Sequence, residues 1–168
     1  MPRSAHQPGA GSNPAHPLQL SDGRVLFSAD DGVHGAELWI ANAALTATQL
    51  VADIRPGAAG SAPRDFVQLA DGRVLFTAET AAQGRELWIT DLTRAGTLLL
   101  ADIGPGPQSG NPTGLTRLAD GRVVFSAHDG QSGHEPWITD GTAAGTRRIA
   151  DLNRDATGSN PNLYYGPT

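Results

Sequence analysis

The chain contains no cysteine and no lysine, a single methionine, and only 5% aromatic residues in 168. Each shortage removes an explanation. Without cysteine there is no disulfide, no thiolate metal site and no sulfur nucleophile. The 12 basic residues are all arginine, set against 17 acidic ones for a net charge of −5, and they form no cluster. A phosphate backbone or an anionic membrane surface needs a concentrated positive patch, so nucleic acid and membrane are excluded as partners. No apolar run approaches the ~18–20 residues of a membrane span. The opening Met1-Pro-Arg-Ser-Ala-His-Gln-Pro-Gly lacks the apolar core of a secretory leader. What the chain has in quantity is Gly (21) and Pro (12), and these recur in register, as turns require.

That register is 49 residues. Trp39, Trp88 and Trp137 are 49 apart, as are Gly23, Gly72 and Gly121, and Asp53, Asp102 and Asp151. A fixed period of this size is the signature of a repeat architecture. Turn tetrads mark the boundaries: Gly11-Ser12-Asn13-Pro14, Gly60-Ser61-Ala62-Pro63, Ser109-Gly110-Asn111-Pro112 and Gly158-Ser159-Asn160-Pro161. They divide the chain into a flexible N-terminus 1–10, three units at about 11–59, 60–108 and 109–157, and a spare strand 158–168, with 11–168 forming one domain.

Every unit holds four short apolar runs between turn signals. In the second unit these are Asp65–Leu69, Arg73–Ala78, Glu86–Thr90 and Thr97–Ile103. Runs of this length with tight polar turns predict strands. The Asp-Gly pair between the first two predicts a two-residue hairpin with positive φ at Gly23, Gly72 and Gly121. Four hairpin-linked strands per unit is the plan of a β-propeller blade. The expected fold is therefore all-β, with three four-stranded antiparallel blades of 49 residues.

The motif residues sharpen this. Glu86-Leu87-Trp88-Ile89-Thr90-Asp91 and Glu135-Pro136-Trp137-Ile138-Thr139-Asp140-Gly141-Thr142 are followed by Ala144-Gly145-Thr146 and Ala150-Asp151-Leu152. With Ala52-Asp53-Ile54-Arg55-Pro56-Gly57 and Ala101-Asp102-Ile103-Gly104-Pro105-Gly106, they resemble the bacterial ELWxxDGT repeat family, kelch-like in the order of its cues. The first unit keeps Glu37-Leu38-Trp39-Ile40 but has Asn42-Ala43-Ala44-Leu45 in place of the Asp-Gly-Thr turn. The resemblance implies propeller repeats on an extracellular or cell-surface protein.

The repeated polar residues are expected to be structural. Arg24, Arg73 and Arg122 open the second strands and Glu37, Glu86 and Glu135 the third, which predicts a charge pair across the connecting loop. Trp39, Trp88 and Trp137 are expected between blades, with a sugar-stacking platform as the alternative. Asp53, Asp102 and Asp151 are expected to accept backbone N–H bonds. The loop between strands two and three varies most, and variable loops on a constant frame carry specificity. Asp31, His34, His128, Asp129 and His134 are therefore the candidate ligand-binding residues. No cofactor is expected: His128, Asp129 and His134 read as a solvated loop, with a zinc or calcium site as the alternative.

No nucleophile–base pattern is evident, so the expected function is a non-enzymatic binding or scaffold module for a glycan or a protein, engaged by the loop face or the ring centre. The rival readings are a hydrolase-type propeller enzyme with its site at the ring centre, and a structural fragment that self-assembles without a ligand. Three blades are too few to close a ring, which predicts a homodimer of six blades with Leu163, Tyr164 and Tyr165 at the interface.

Overall fold

The computed structural model describes residues 11–152. The expectations for residues 1–10, for the tetrad and spare strand at 158–168, and for Leu163, Tyr164 and Tyr165 lie outside the described residues.

Twelve strands and no helix make up the described chain. The first sheet holds β1 (Ala15–Gln19), β2 (Val25–Asp30), β3 (Ala36–Ala41) and β4 (Thr48–Ala52). The second holds β5 (Arg64–Gln68), β6 (Val74–Thr80), β7 (Gly84–Thr90) and β8 (Leu98–Ala101). The third holds β9 (Thr113–Arg117), β10 (Val123–His128), β11 (His134–Thr139) and β12 (Arg147–Arg148). Each sheet is an antiparallel meander in sequence order, open at both edges. The three registers coincide: Phe27 faces Trp39, Phe76 faces Trp88 and Phe125 faces Trp137. First strands of consecutive units lie against one another, β1 on β5 and β5 on β9.

The alternation of side chains along a strand decides how the sheets pack. Val74, Phe76 and Ala78 of β6 point one way and join Leu20, Leu26, Leu38, Ile40 and Val51 of the first sheet. Leu75, Leu87 and Ile89 point the other way and join Val123, Phe125 and Ala127 of the third sheet. The middle sheet is thus covered on both faces. Phe76 and Phe125 have no exposed surface, and full burial of a side chain of that size is worth about 2–3 kcal/mol. Trp88 packs on the first of these cores and Trp137 on the second, as inter-blade packing requires.

The hairpins differ from the expected two-residue form. Leu20 N–H donates to the Arg24 carbonyl at 2.8 Å, while Gly23 N–H donates to the Leu20 carbonyl at 2.9 Å. The loop therefore has three residues, with Gly23 closing it as a left-handed bulge at φ 86°. Gly72 and Gly121 repeat this at 89° and 90°. The positive φ was legible; the turn type was not, because the serine or alanine before Asp-Gly joins the loop.

First strands are bent by a bulge, marked by a register shift after Ala15 in β1 and after Arg64 in β5. His16, Asp65 and Gly114 occupy the same position in their units, with φ of 53°, 59° and 67°. Turns between third and fourth strands are locked by side chains. The Asp140 carboxylate accepts from Thr142 N–H at 2.9 Å and from Thr142 Oγ1 at 2.6 Å, and Thr139 Oγ1 meets Thr146 Oγ1 at 2.7 Å. Asp91, Thr93, Thr90 and Thr97 repeat the arrangement. In the first unit Asn42 does the capping, its Oδ1 accepting from Thr46 and Ala47 N–H and its Nδ2 donating to Thr46 Oγ1 at 3.1 Å. The Asp-Gly-Thr motif is thus a turn lock.

Candidate functional site

Two ends of the sheets differ in chemistry. The hairpin end carries the Asp-Gly-Arg turns. There Arg24, Arg73 and Arg122 pair with Asp22, Asp71 and Asp120 of their own turns, at 2.7, 2.7 and 2.6 Å. The opposite end carries the β2–β3, β6–β7 and β10–β11 loops and the links between units.

The expected Arg–Glu pair does not form. Antiparallel register places Val25 opposite Ala41 and Ala29 opposite Glu37, so the start of one strand lies beside the end of the next. Arg24 and Glu37 consequently sit at opposite ends of the sheet. Glu37 is fully buried and accepts from Ile54 N–H and Arg55 N–H, each at 3.0 Å, and from Ser61 Oγ at 2.6 Å. Glu86 accepts from Ile103, Gly104 and Gly110 N–H at 2.8, 3.0 and 2.5 Å. Glu135 accepts from Leu152 N–H at 3.0 Å. Each carboxylate clamps the link that leaves its own unit. Burial pushes the Glu86 carboxyl up to about 7 in spite of its three N–H donors, and pushes Glu37 up as well.

Around these clamps the loops diverge. In the first unit Asp31 and His34 come together, with His34 Nδ1 at 2.8 Å from Asp31 Oδ2. Asp31 Oδ1 accepts from Val33 and His34 N–H, at 2.9 Å each. The bond to Asp31 raises the His34 imidazole above its ordinary value. Burial pulls Asp31 upward, but the His34 and Val33 donors outweigh it and hold the carboxyl low. A base with an orienting carboxylate is two-thirds of a nucleophilic triad; among the described residues no hydroxyl bonds to His34.

The second unit replaces this pair with an ionic network. Glu79 accepts from Arg55 of the preceding link at 2.9 Å and lies 3.8 Å from Arg85. Arg85 is itself buried and donates to the Ala62 carbonyl at 3.1 Å and to Thr77 Oγ1 at 3.4 Å. Burial, then the nearby Arg64, lowers its pKa. Arg85 was missed in the sequence because its counterparts Ala36 and His134 share neither charge nor size; an arginine two residues before the Leu-Trp-Ile run was the available signal.

In the third unit the three residues of the alternative metal reading are not brought together. His128 and His134 face each other across the hairpin, rings edge to face with centroids 5.7 Å apart. Asp129 turns away from them. Its Oδ1 accepts from Gln131 and Ser132 N–H at 2.9 and 2.8 Å, and its Oδ2 from Arg148 at 2.9 Å. Arg148 also donates to Ser132 Oγ. His128 Nδ1 accepts from Gly130 N–H at 2.7 Å, which leaves its other ring nitrogen to carry the proton. Burial, then His128, lowers the His134 pKa. Among the described residues no group of three His, Asp or Glu side chains is placed to hold an ion. Asp53, Asp102 and Asp151 also fall short of a shared role: Asp102 accepts weakly from Gly106 N–H at 3.3 Å, Asp53 Oδ1 has no partner, and Asp151 lies 3.7 Å from Arg148.

Beside Trp39 lies a cleft of about 470 Å³, lined by Pro14, Phe27, Ala29, Asp30, Asp31 and Trp39 among others. Trp39 was expected between blades, yet among the described residues no sheet packs against this face. The aligned Trp88 and Trp137, half-buried as Trp39 is, pack against cores shared with the preceding sheet. No protein-family model matches the chain, and no curated protein matches it.

Proposed function

We propose that the chain is a non-enzymatic binding and scaffold module of β-propeller type, which engages a glycan or a protein through the end that carries the β2–β3, β6–β7 and β10–β11 loops. One observation carries this reading: Glu37 and Glu86 clamp their links through three donors each, and Glu135 accepts from the equivalent Leu152 N–H, while the loops beside them differ in charge and shape. A constant frame with divergent loops is how repeat proteins separate stability from specificity. Asp31–His34, the Arg55–Glu79–Arg85 network and the His128–His134 pair offer three different polar surfaces along one rim.

Convergence of β1, β5 and β9 supports the propeller, since blades meet along their innermost strands. Resemblance to the ELWxxDGT repeats supports it too, and with it an extracellular or cell-surface setting. A glycan and peptide array tests the function. The expected result is a bound class whose affinity falls at least tenfold in His34→Ala or His134→Ala with the melting temperature unchanged. Turnover of aryl glycosides or esters, or binding indifferent to both substitutions, overturns it.

A further inference from the structure

Five large apolar side chains are strongly exposed among the described residues: Val33, Leu45, Leu98, Ile149 and Leu152. The 49-residue register sorts them. Leu98 aligns with Gln49 and Arg147, Val33 with Ala82 and Gln131, and Leu45 with Arg94 and Ala143. Those three occupy ordinary surface positions. Ile149 and Leu152 do not. Ile149, 49% exposed, aligns with Val51 at 6% and Leu100 at 9%; Leu152, 66% exposed, aligns with Ile103 at 5%. The outer face of the third sheet therefore carries core positions, Ile149 and Leu152, that no sheet covers among the described residues.

The first sheet shows the converse. Val25 and Phe27 are half-buried, whereas the aligned Val74, Phe76, Val123 and Phe125 have no exposure at all. The cleft beside Trp39 is the seat that, in the second and third units, is filled by the aliphatic face of the sheet before. The two open faces are thus the two halves of an interface that the chain already makes twice, once in each apolar core. At the hairpin end that interface includes Arg73 donating to the Gly141 carbonyl of the next sheet at 3.0 Å. The guanidinium of Arg122, one unit on, pairs only with Asp120 of its own turn among the described residues.

We propose that a second copy of this chain covers both faces: the Ile149–Leu152 face of one copy seats on the Phe27–Trp39 face of the other, head to tail, and the same contact forms a second time to close a six-sheet ring. The faces are not alike, so the contact is heterologous and must either close or polymerise. Closure at two copies rests on the propeller reading above, in which rings hold about four to eight blades; six is the multiple of three in that range. A small ligand is a poorer occupant of the Trp39 cleft. The counterpart positions, Phe76 with Trp88 and Phe125 with Trp137, are seated against sheets in this same chain.

Multi-angle light scattering on the whole 168-residue chain at micromolar concentration tests the proposal. The expected mass is twice the 17.4 kDa of the chain. Ile149→Glu should halve it with the far-UV spectrum unchanged, because the side chain is exposed within one copy. Phe27→Asp should do the same from the opposite face, and Leu98→Glu should leave the dimer intact. A monomer at micromolar concentration, a polymer that grows with concentration, or a dimer as sensitive to Leu98→Glu as to Ile149→Glu would each overturn the proposal. The array result is read separately: a monomer that binds through the loop rim loses the ring and keeps the binding function, and a dimer that turns over glycosides does the reverse.

Discussion

The buried carboxylates show best what one residue can do in this chain. Glu86 has no cation beside it; three backbone N–H groups hold it, and burial lifts its pKa to about 7. The folded-state pKa is above the unfolded one, so the folded chain binds the extra proton between the ordinary value of 4.5 and about 7. Stability from this group is therefore greatest below that window and declines as pH rises through it. Glu37 acts in the same direction. Thermal melts of Glu86→Gln should show a shallower decline between pH 5 and pH 7 than the wild type, at a lower melting temperature throughout; an equal slope would remove Glu86 as the titrating group. A second prediction concerns Ala62. It is exposed at φ 44°, while Asn13 and Asn111 hold the same position at 40° and 44°. A left-handed backbone costs a non-glycine residue about 1–2 kcal/mol, and asparagine least among them. Ala62→Asn should raise stability by about 0.5–1 kcal/mol in a urea titration. The carbonyl that Arg85 uses belongs to the backbone and survives the change.

Strands and turns show how far the sequence can be read. Strand positions followed from alternation and the 49-residue register, and β5 to β8 fall within two residues of the expected runs. Partners of the polar residues did not follow. Glu86 was paired with an arginine because both begin strands, but antiparallel register separates strand starts, and the true partners are backbone amides that no side-chain pattern displays. Asp129 was grouped with His128 and His134 by proximity in sequence, and Arg148, 19 residues away, took it instead. Glycines divide by what surrounds them. A Cβ on Gly72 would meet nothing within 4 Å, so Gly72→Ala should cost only the backbone strain of φ 89°, about 1–2 kcal/mol. A Cβ on Gly84, at φ 66°, would also lie 2.6 Å from Ser109 Oγ at the loop-link crossing. Gly84→Ala should therefore be the more destabilising of the two in parallel chemical melts. Equal losses would mean that the link yields at no cost.

At the scale of the molecule, the described residues form one sheet packed on both faces and two sheets packed on one. Apolar side chains of the kind that make the inner contacts remain on the outer faces: half-buried Phe27 and Trp39 on the first sheet, and exposed Ile149 and Leu152 on the third. Exposed apolar faces of this kind drive association, and here the shape of the partner is already written in the chain. Small-angle X-ray scattering over a dilution series tests the ring most directly. The account predicts one compact, disc-like particle of twice the chain mass, constant in shape until it dissociates, and conversion of Ile149→Glu to a particle of half that mass. Scattering from an elongated particle, growing with concentration, or from a monomer whose profile is unmoved by Ile149→Glu, would contradict it.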